Sequence, residues 1–166
     1  MKIETIRHSL AHILAAAVQE LYPAAPKGRA SLNEIERGAK FGMGPAIENG
    51  FYYDFELTKT LTPEDLPRIE KKMKELVKQN ISFKKRTVSK IEAKKLFKNQ
   101  PYKLELLKQI KQPTIYESGK FIDLCAGPHV KSTLQLHSGQ AKEVIDAFKL
   151  TKMAGAYWKG DEKNKM

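Results

Sequence analysis

An apolar stripe at helical spacing runs through the first 21 residues of the chain. Its side chains recur every three or four positions, at Ile3, Ile6, Leu10, Ile13, Leu14, Ala17, Val18 and Leu21. Tyr22-Pro23 ends the pattern, because proline cannot continue a helix. An amphipathic helix turns such a stripe toward the core. The sequence therefore predicts a long helix over residues 3–21 that packs on the rest of the fold.

Two later segments have the period-2 alternation of β-hairpins instead. The segment KFGMGPAIENGFYYDFEL contains Asn49-Gly50, which predicts a tight primed turn with positive φ angles. TIYESGKFIDLC is predicted to turn at Ser118-Gly119. Helices are predicted in LTPEDLPRIEKKMKELVKQN, in SKIEAKKLF from Ser89, and in part of PYKLELLKQIK. SFKKRTV is predicted as a strand and EVIDAFKLTKMAGAYW as strand-like, whereas residues 24–40 look like a long exposed connection. Helices interleaved with hairpins predict an α+β domain with antiparallel pairing.

Composition limits the class of protein. A chain of 166 residues with 41% hydrophobic and 30% charged residues is typical of a single folded domain. A lone cysteine excludes an internal disulfide and fits a reducing compartment. The start has no signal-peptide pattern, and no apolar run approaches the roughly 20 residues that cross a bilayer. A cytoplasmic location is predicted.

The net charge of +11 predicts an anionic partner, and nucleic acid is the commonest polyanion in the cytoplasm. The charge is concentrated: Lys84 to Lys111 contains ten basic residues and two acidic ones. RNA binding is the favoured interpretation. A lysine-rich solvated helical surface is the alternative.

His8 and His12 lie four residues apart in the predicted helix, so their side chains share one face. That face lies off the apolar stripe and includes Ala15 and Gln19, whose sizes leave room for a ligand. A histidine pair with no functional role is the alternative.

The only cysteine lies in a second candidate motif, FIDLCAGPHV. Strand alternation puts Asp123 and Cys125 on one face, and Gly127-Pro128 can turn the chain so that His129 comes back toward Cys125. The alternative is a buried cysteine that acts as a small hydrophobic residue.

Three imidazoles and a thiol permit three kinds of site. The set suits tetrahedral zinc. Neutral imidazoles can also orient and deprotonate a water without metal, and Cys125 can be a nucleophile paired with His129. The residues alone leave these three open, and His137 has no evident partner.

Four blocks together carry a family resemblance: HSLAHILAAAVQELYP, FGMGPAIENGFYYDFEL, FIDLCAGPHV and AGAYWKGDEKNKM. In their order and spacing they resemble the editing domain of bacterial threonyl-tRNA synthetases. The alanyl-tRNA synthetase editing domain is similar in the histidine and cysteine motifs but lacks the GPAIENGFYYDF block. The resemblance implies helices packed on an antiparallel sheet, with both motifs in one cleft. It also implies hydrolysis of Ser-tRNA(Thr).

The resemblance also implies site residues. The family's working residues match His8, His12, Tyr52, Lys103, Asp123, Cys125 and His129. We expect His8 or His12 to activate water, and Lys103 to stabilise charge or the adenosine end. Asp123 is expected to hold the serine amino group, Tyr52 to bind substrate, and Cys125 and His129 to shape the pocket. Alanyl-type relatives hold zinc with the His/Cys set and threonyl-type ones are described without it, so a metal-free site is expected.

The resemblance further implies a division of the chain. Residues 1–155 are expected to form the editing domain, and 156–166 to begin a linker toward an aminoacylation core. The chain is expected to be an excised domain or a free-standing editor, and the parent enzyme a homodimer. Ala126 replaces the family's usual arginine, and residues 24–40 exceed the usual link. An alanyl-type deacylase and a silent tRNA-binding module are the alternatives.

Overall fold

The protein's structure, a computed structural model, describes residues 1–23, 38–137 and 148–152. Its helices are α1 Ile3–Leu21, α2 Leu66–Val77, α3 Lys90–Leu96 and α4 Pro101–Gln109. Its strands are β1 Lys40–Phe41, β2 Ala46–Ile47, β3 Gly50–Phe51, β4 Phe55–Glu56, β5 Phe83–Thr87, β6 Thr114–Ser118 and β7 Phe121–Leu124. Two 3₁₀ helices span Pro63–Asp65 and Thr133–His137. The predicted α+β class is confirmed.

The strands pair antiparallel throughout. β5, β6 and β7 form a three-stranded sheet with β6 in the middle, while β1 pairs with β4 and β2 with β3. In the central hairpin Tyr116 lies opposite Asp123, so both side chains lie on the same face of the sheet. That face packs toward α1.

Helix α1 lies in the middle of the fold. Every residue from Ser9 to Val18 is buried, and the helix packs against α2 and against β2, β3, β6 and β7. The face that His8 and His12 share lies off the apolar stripe, yet His12 and Ala15 on that face are also buried. The reason is that the sheet covers this face of the helix, whereas α2 covers part of the rest.

The opposite face of the sheet has a core of its own. Ile115, Ile122 and Leu124 pack there on residues from α3 and α4. Helix α3 begins as predicted at Ser89, whose hydroxyl accepts a hydrogen bond from the Glu92 amide at 3.1 Å. The strand alternation of β7 thus separates two cores, with Phe121 and Asp123 on the α1 side.

The first hairpin forms without the predicted primed turn. Gly50 pairs with Ile47, so Glu48 and Asn49 make the turn, and neither Asn49 nor Gly50 has a positive φ. A tertiary contact accounts for the difference: the Arg7 guanidinium donates to the carbonyls of Ile47 and Glu48. In the second hairpin Gly119 has a φ of +64° at the predicted turn.

Three sequence expectations fall wholly or partly outside the described residues. They are the connection 24–40, of which 38–40 are described, the strand-like segment 143–158, and the linker 156–166. Residues 148–152 of the second segment belong to no strand. No helix in the described part of the chain is long and apolar enough to cross a membrane.

Candidate active site

Four side chains from the two ends of the domain meet in one cluster. His8 and His12 come from α1, and Cys125 and His129 come from the segment after β7. We call these four the histidine–cysteine cluster; one ligand atom from each lies within 4.8 Å of all the others. The Cys125 Sγ atom lies 3.5 Å from His8 Nε2 and 3.3 Å from His129 Nε2. The His129 ring lies 4.1 Å from the His8 ring and 4.0 Å from the His12 ring, measured between centroids.

A tight loop brings His129 back to Cys125. Gly127 has a φ of +78°, and its amide donates to Cys125 Sγ at 3.2 Å. A Cβ at Gly127 would also meet the Tyr116 ring at 2.8 Å, so both conformation and space demand glycine there. On the outer side Lys85 donates to the Ala126 carbonyl at 2.9 Å. The loop is thus held from both sides.

A buried charged network lies directly behind the cluster. His12 Nε2 lies 3.2 Å from Asp123 Oδ2, which also accepts a hydrogen bond from the Tyr53 hydroxyl at 2.6 Å. Lys103 forms an ion pair with Asp123 Oδ1 and donates to the Tyr53 hydroxyl at 3.0 Å and to the Gly42 carbonyl at 2.5 Å. Only 2% of Lys103 is exposed. We call Asp123, Lys103 and Tyr53 the Asp–Lys–Tyr network.

Burial keeps the three imidazoles of the cluster neutral. Desolvation lowers the pKa of His8, and desolvation together with the neighbouring His8 and Lys103 lowers the pKa of His12 far below its usual range. Desolvation, reinforced by His12 and His8, lowers the pKa of His129 to about 2. Each ring therefore has one nitrogen lone pair free for chemistry at neutral pH.

The thiol of Cys125 is protonated at neutral pH. Desolvation raises its pKa to about 11, although the hydrogen bond from the Gly127 amide opposes this. The thiolate is the nucleophilic form of cysteine. The structure therefore disfavours Cys125 as the nucleophile among the three kinds of site considered above.

We expect Cys125 to resist alkylation near neutral pH. A pKa raised by about two units leaves about 100-fold less thiolate at pH 7.5 than an ordinary cysteine has. Reactivity should therefore rise only as the pH increases toward 11. Iodoacetamide labelling of chelator-treated protein, followed by mass spectrometry across pH, measures this. Cysteine placed at the exposed neighbouring position in the Cys125→Ser, Ala126→Cys double variant is the control. Equally fast labelling of the wild type and the control would contradict the expectation.

The donor set also fits a zinc ion. Three imidazoles and a thiol are typical zinc ligands, and the two Sγ-to-Nε2 separations match the edges of a tetrahedron with metal bonds of about 2.0–2.3 Å. His12 Nδ1 is moreover buried without a hydrogen bond in the described structure. The four cluster residues would hold the ion, which would act as a Lewis acid only if one coordination position stayed open.

Tyr52 lies apart from the other predicted site residues. Its side chain is 42% exposed between β3 and β4. No hydrogen bond, ion pair or ring contact joins it to the cluster among the residues that the structure describes. Tyr52 can therefore bind the substrate, as predicted, only if the substrate extends from the cluster to the segment between β3 and β4.

Two residues near the cluster escaped the sequence analysis. Tyr53 lies in the alternating segment of the first hairpin and is buried, but its hydroxyl contacts both Asp123 and Lys103. Ser9 is fully buried and contacts the His129 loop. The sequence signal for Ser9 was its position directly after His8 and between the two histidines. A signal for Tyr53 was its hydroxyl, since buried tyrosines usually have a hydrogen-bond partner.

Comparison with known proteins agrees with this architecture. A family model described as the threonyl and alanyl tRNA synthetase second additional domain matches residues 114–166, which include Cys125 and His129. The chain is 51% identical over 99% of its length to a threonine–tRNA ligase of Dehalococcoides mccartyi. It is 47% identical over 98% of its length to that of Thermotoga petrophila, and 44% over 97% to that of Rubrobacter xylanophilus.

The chain spans about a quarter of the length of these relatives, namely 25%, 23% and 22% of them. The region of similarity therefore includes both halves of the cluster, His8 and His12 as well as Cys125 and His129. The resemblance predicted from the four sequence blocks is confirmed: residues 114–166 match the second additional domain of threonyl and alanyl tRNA synthetases, and nearly the whole chain is similar to part of the threonine–tRNA ligases.

Proposed function

We propose that this domain hydrolyses Ser-tRNA(Thr) and so edits the product of a threonine–tRNA ligase that has charged serine by mistake. The observation that carries the proposal is the cluster of three neutral imidazoles beside a buried Asp–Lys pair. Ester hydrolysis needs a positioned water, a base, and help for the developing oxyanion. Relatives named threonine–tRNA ligase supply the substrate class.

Editing is needed because binding alone distinguishes serine poorly from threonine. Serine lacks one methyl group of threonine, and a binding pocket separates two such substrates by only about 1–3 kcal/mol. A synthetic site that accepts threonine therefore also admits serine. A second pocket that excludes the methyl group can remove the error.

We assign the general base to His8. Its ring is half-buried, whereas His12 is 1% exposed and has Nε2 directed at Asp123. The lowered pKa keeps His8 unprotonated at neutral pH, as a base must be. His12 then orients the rings of the cluster, and Cys125 and His129 shape the pocket as neutral groups.

The Asp–Lys–Tyr network suits recognition of the serine amino group. The three ammonium protons of Lys103 face Gly42, Tyr53 and Asp123, so Lys103 can reach an oxyanion or the adenosine only by releasing one of them. Asp123 has more capacity, because Oδ1 faces Lys103 and accepts no hydrogen bond from another group in the described structure. The ammonium group of the substrate can donate a hydrogen bond to this oxygen.

The tRNA partner fits the charge of the fold. Strand β5 is an edge of its sheet, and Lys84, Lys85 and Arg86 are exposed on it. Such residues bind phosphate groups without regard to sequence. We further propose a cytoplasmic location, an editing domain over residues 1–155 that leads into a linker, and a homodimeric parent enzyme.

We propose a reaction without metal, although the donor set fits zinc. An ion held by all four cluster residues would leave no open position for the attacking water. It would also engage His8, the proposed base. Elemental analysis of the purified protein and the hydrolysis rate after treatment with a chelator test this point together.

The purified domain is expected to deacylate Ser-tRNA(Thr) faster than Thr-tRNA(Thr) by about 10–200-fold, the range that one methyl group allows. Release of labelled serine or threonine from the two charged tRNAs measures the ratio. Equal rates would contradict a pocket that excludes the methyl group of threonine. Preference for Ser-tRNA(Ala) would indicate an alanyl-type deacylase, and tRNA binding with background hydrolysis would indicate a silent binding module.

A further inference from the structure

The hydroxyl of Ser9 joins the two halves of the site. It lies on α1, is completely buried, and has three polar neighbours. Its Oγ atom lies 2.8 Å from the Thr5 carbonyl, 3.0 Å from the Val130 amide and 3.3 Å from His129 Nδ1. Ser9 therefore contacts the loop that carries His129 at two points.

The donor and the acceptor in each of these three contacts can be assigned from the hydrogen-bonding capacity of the groups. A hydroxyl donates one hydrogen bond and accepts two. The Thr5 carbonyl can only accept, and at 2.8 Å it lies closer to Oγ than His129 Nδ1 does at 3.3 Å, so we assign the proton of Ser9 to the Thr5 carbonyl. The Val130 amide can only donate, so it occupies one lone pair of Oγ. The remaining lone pair then faces His129 Nδ1, and in this assignment Nδ1 carries the ring proton.

This assignment determines what His129 presents to the cluster. A neutral imidazole has one N–H, and the hydrogen bond at one nitrogen sets the state of the other. With the proton on Nδ1, Nε2 has a free lone pair that faces Cys125 Sγ at 3.3 Å. The Gly127 amide donates to the same sulfur, and the thiol can donate its own proton to this Nε2 or to His8 Nε2, which lies 3.5 Å away.

We propose that Ser9 is a positioning residue that locks His129 in the Nδ1–H tautomer and aims the Nε2 lone pair into the site. Without the Ser9 hydroxyl, Nδ1–H would be left buried beside a methyl group, with no acceptor among its described contacts. The ring would gain by moving its proton to Nε2, where it can donate to Cys125. With Ser9 in place, His129 Nε2 therefore faces the pocket as a hydrogen-bond acceptor and not as a donor.

The ring tautomer can be observed directly, without a substrate. In the full chain with ¹⁵N-labelled histidine, long-range ¹H–¹⁵N spectra distinguish a protonated ring nitrogen from an unprotonated one. The His129→Gln variant identifies the signals, and chelator-treated protein is used throughout. We expect wild-type His129 to have an unprotonated Nε2, and Ser9→Ala to have the reverse.

Matched variants separate the hydroxyl from packing. Ser9→Thr keeps the hydroxyl and should retain the wild-type tautomer, whereas Ser9→Val has nearly the same shape without it and should not. Ser118 is also buried, and its Oγ makes no hydrogen bond in the described structure, so Ser118→Ala should leave His129 unchanged. Ser9→Ala removes atoms and adds none, so it keeps the test available if the larger variants fail to fold. An unchanged tautomer in Ser9→Ala, or Nε2–H in the wild type, overturns the proposal.

The consequence for catalysis rests on the proposed function, and its test is separate. Ser9→Ala is expected to lower the kcat for Ser-tRNA(Thr) hydrolysis by up to about 100-fold, as a misplacement of about 1 Å in an active site can do, with KM little changed. Ser9→Thr should restore it. If the wild type fails to hydrolyse Ser-tRNA(Thr), the proposed function fails while the spectra still decide the role of Ser9. A reversed tautomer with unchanged kcat would remove the catalytic consequence alone.

Discussion

Lys103→Met is expected to lower the free energy of unfolding by about 3–5 kcal/mol, the typical cost of breaking a buried ion pair from one side. Methionine resembles the lysine stem in size, so the main loss is the ammonium group. Asp123, which is 3% exposed, would then be left buried without its cation, with only Tyr53 and His12 beside it. Urea unfolding followed by circular dichroism measures the change at a constant m-value.

Lys108→Met is the matched control for this prediction. Lys108 lies on the same helix α4 but is exposed, so its replacement should change the free energy of unfolding by no more than about 0.5 kcal/mol. The double variant Lys103→Met, Asp123→Asn should recover part of the loss, because it removes the unpaired charge as well. Equal effects of Lys103→Met and Lys108→Met would refute a buried ion pair.

His8→Ala is expected to lower kcat for Ser-tRNA(Thr) hydrolysis by about 10²–10⁴-fold, the usual contribution of a positioned general base. His8 lies at the open side of the cluster, and its side chain has no part in the Asp–Lys–Tyr network. The variant should therefore fold and bind tRNA as the wild type does. Release of labelled serine under single-turnover conditions measures the chemical step.

Glu4→Ala, on an exposed position of the same helix, is the control for His8→Ala and should retain full activity. The pH profile gives an independent check. Desolvation lowers the pKa of His8 from its usual 6.5, so the unprotonated base persists below that pH. Activity should fall only as the pH decreases through a value under 6.5. An acid limb centred above 6.5, or unchanged kcat in His8→Ala, would exclude His8 as the base.

Local sequence signals predicted much of the fold. The bounds of α1 followed from its stripe and from Pro23, and the start of α3 from Ser89, because each depends on residues within a few positions. The turn at Asn49-Gly50 failed because a distant arginine on α1 holds the loop carbonyls. Local turn propensity takes no account of a partner that lies about 40 residues away in the sequence.

The candidate site was predictable to a similar degree. The alternation in β7 put Asp123 and Cys125 on one face, and the helical spacing put His8 beside His12. The family resemblance supplied Lys103, which no local pattern distinguishes from the other lysines of the chain. The roles of Ser9 and Tyr53 depend on hydrogen bonds across 120 and 70 residues, so only the folded structure reveals them.

Because the cluster is divided between α1 and the loop after β7, the proposed hydrolysis requires a folded domain. A chain that has lost its first helix retains only the thiol and one imidazole of the cluster, and residues 114–166 alone have the same two cluster groups. Neither piece contains the proposed base. On the proposed function, an incompletely folded or truncated copy would therefore be inactive, and correctly charged tRNA would not be exposed to a hydrolase that lacks a selective pocket.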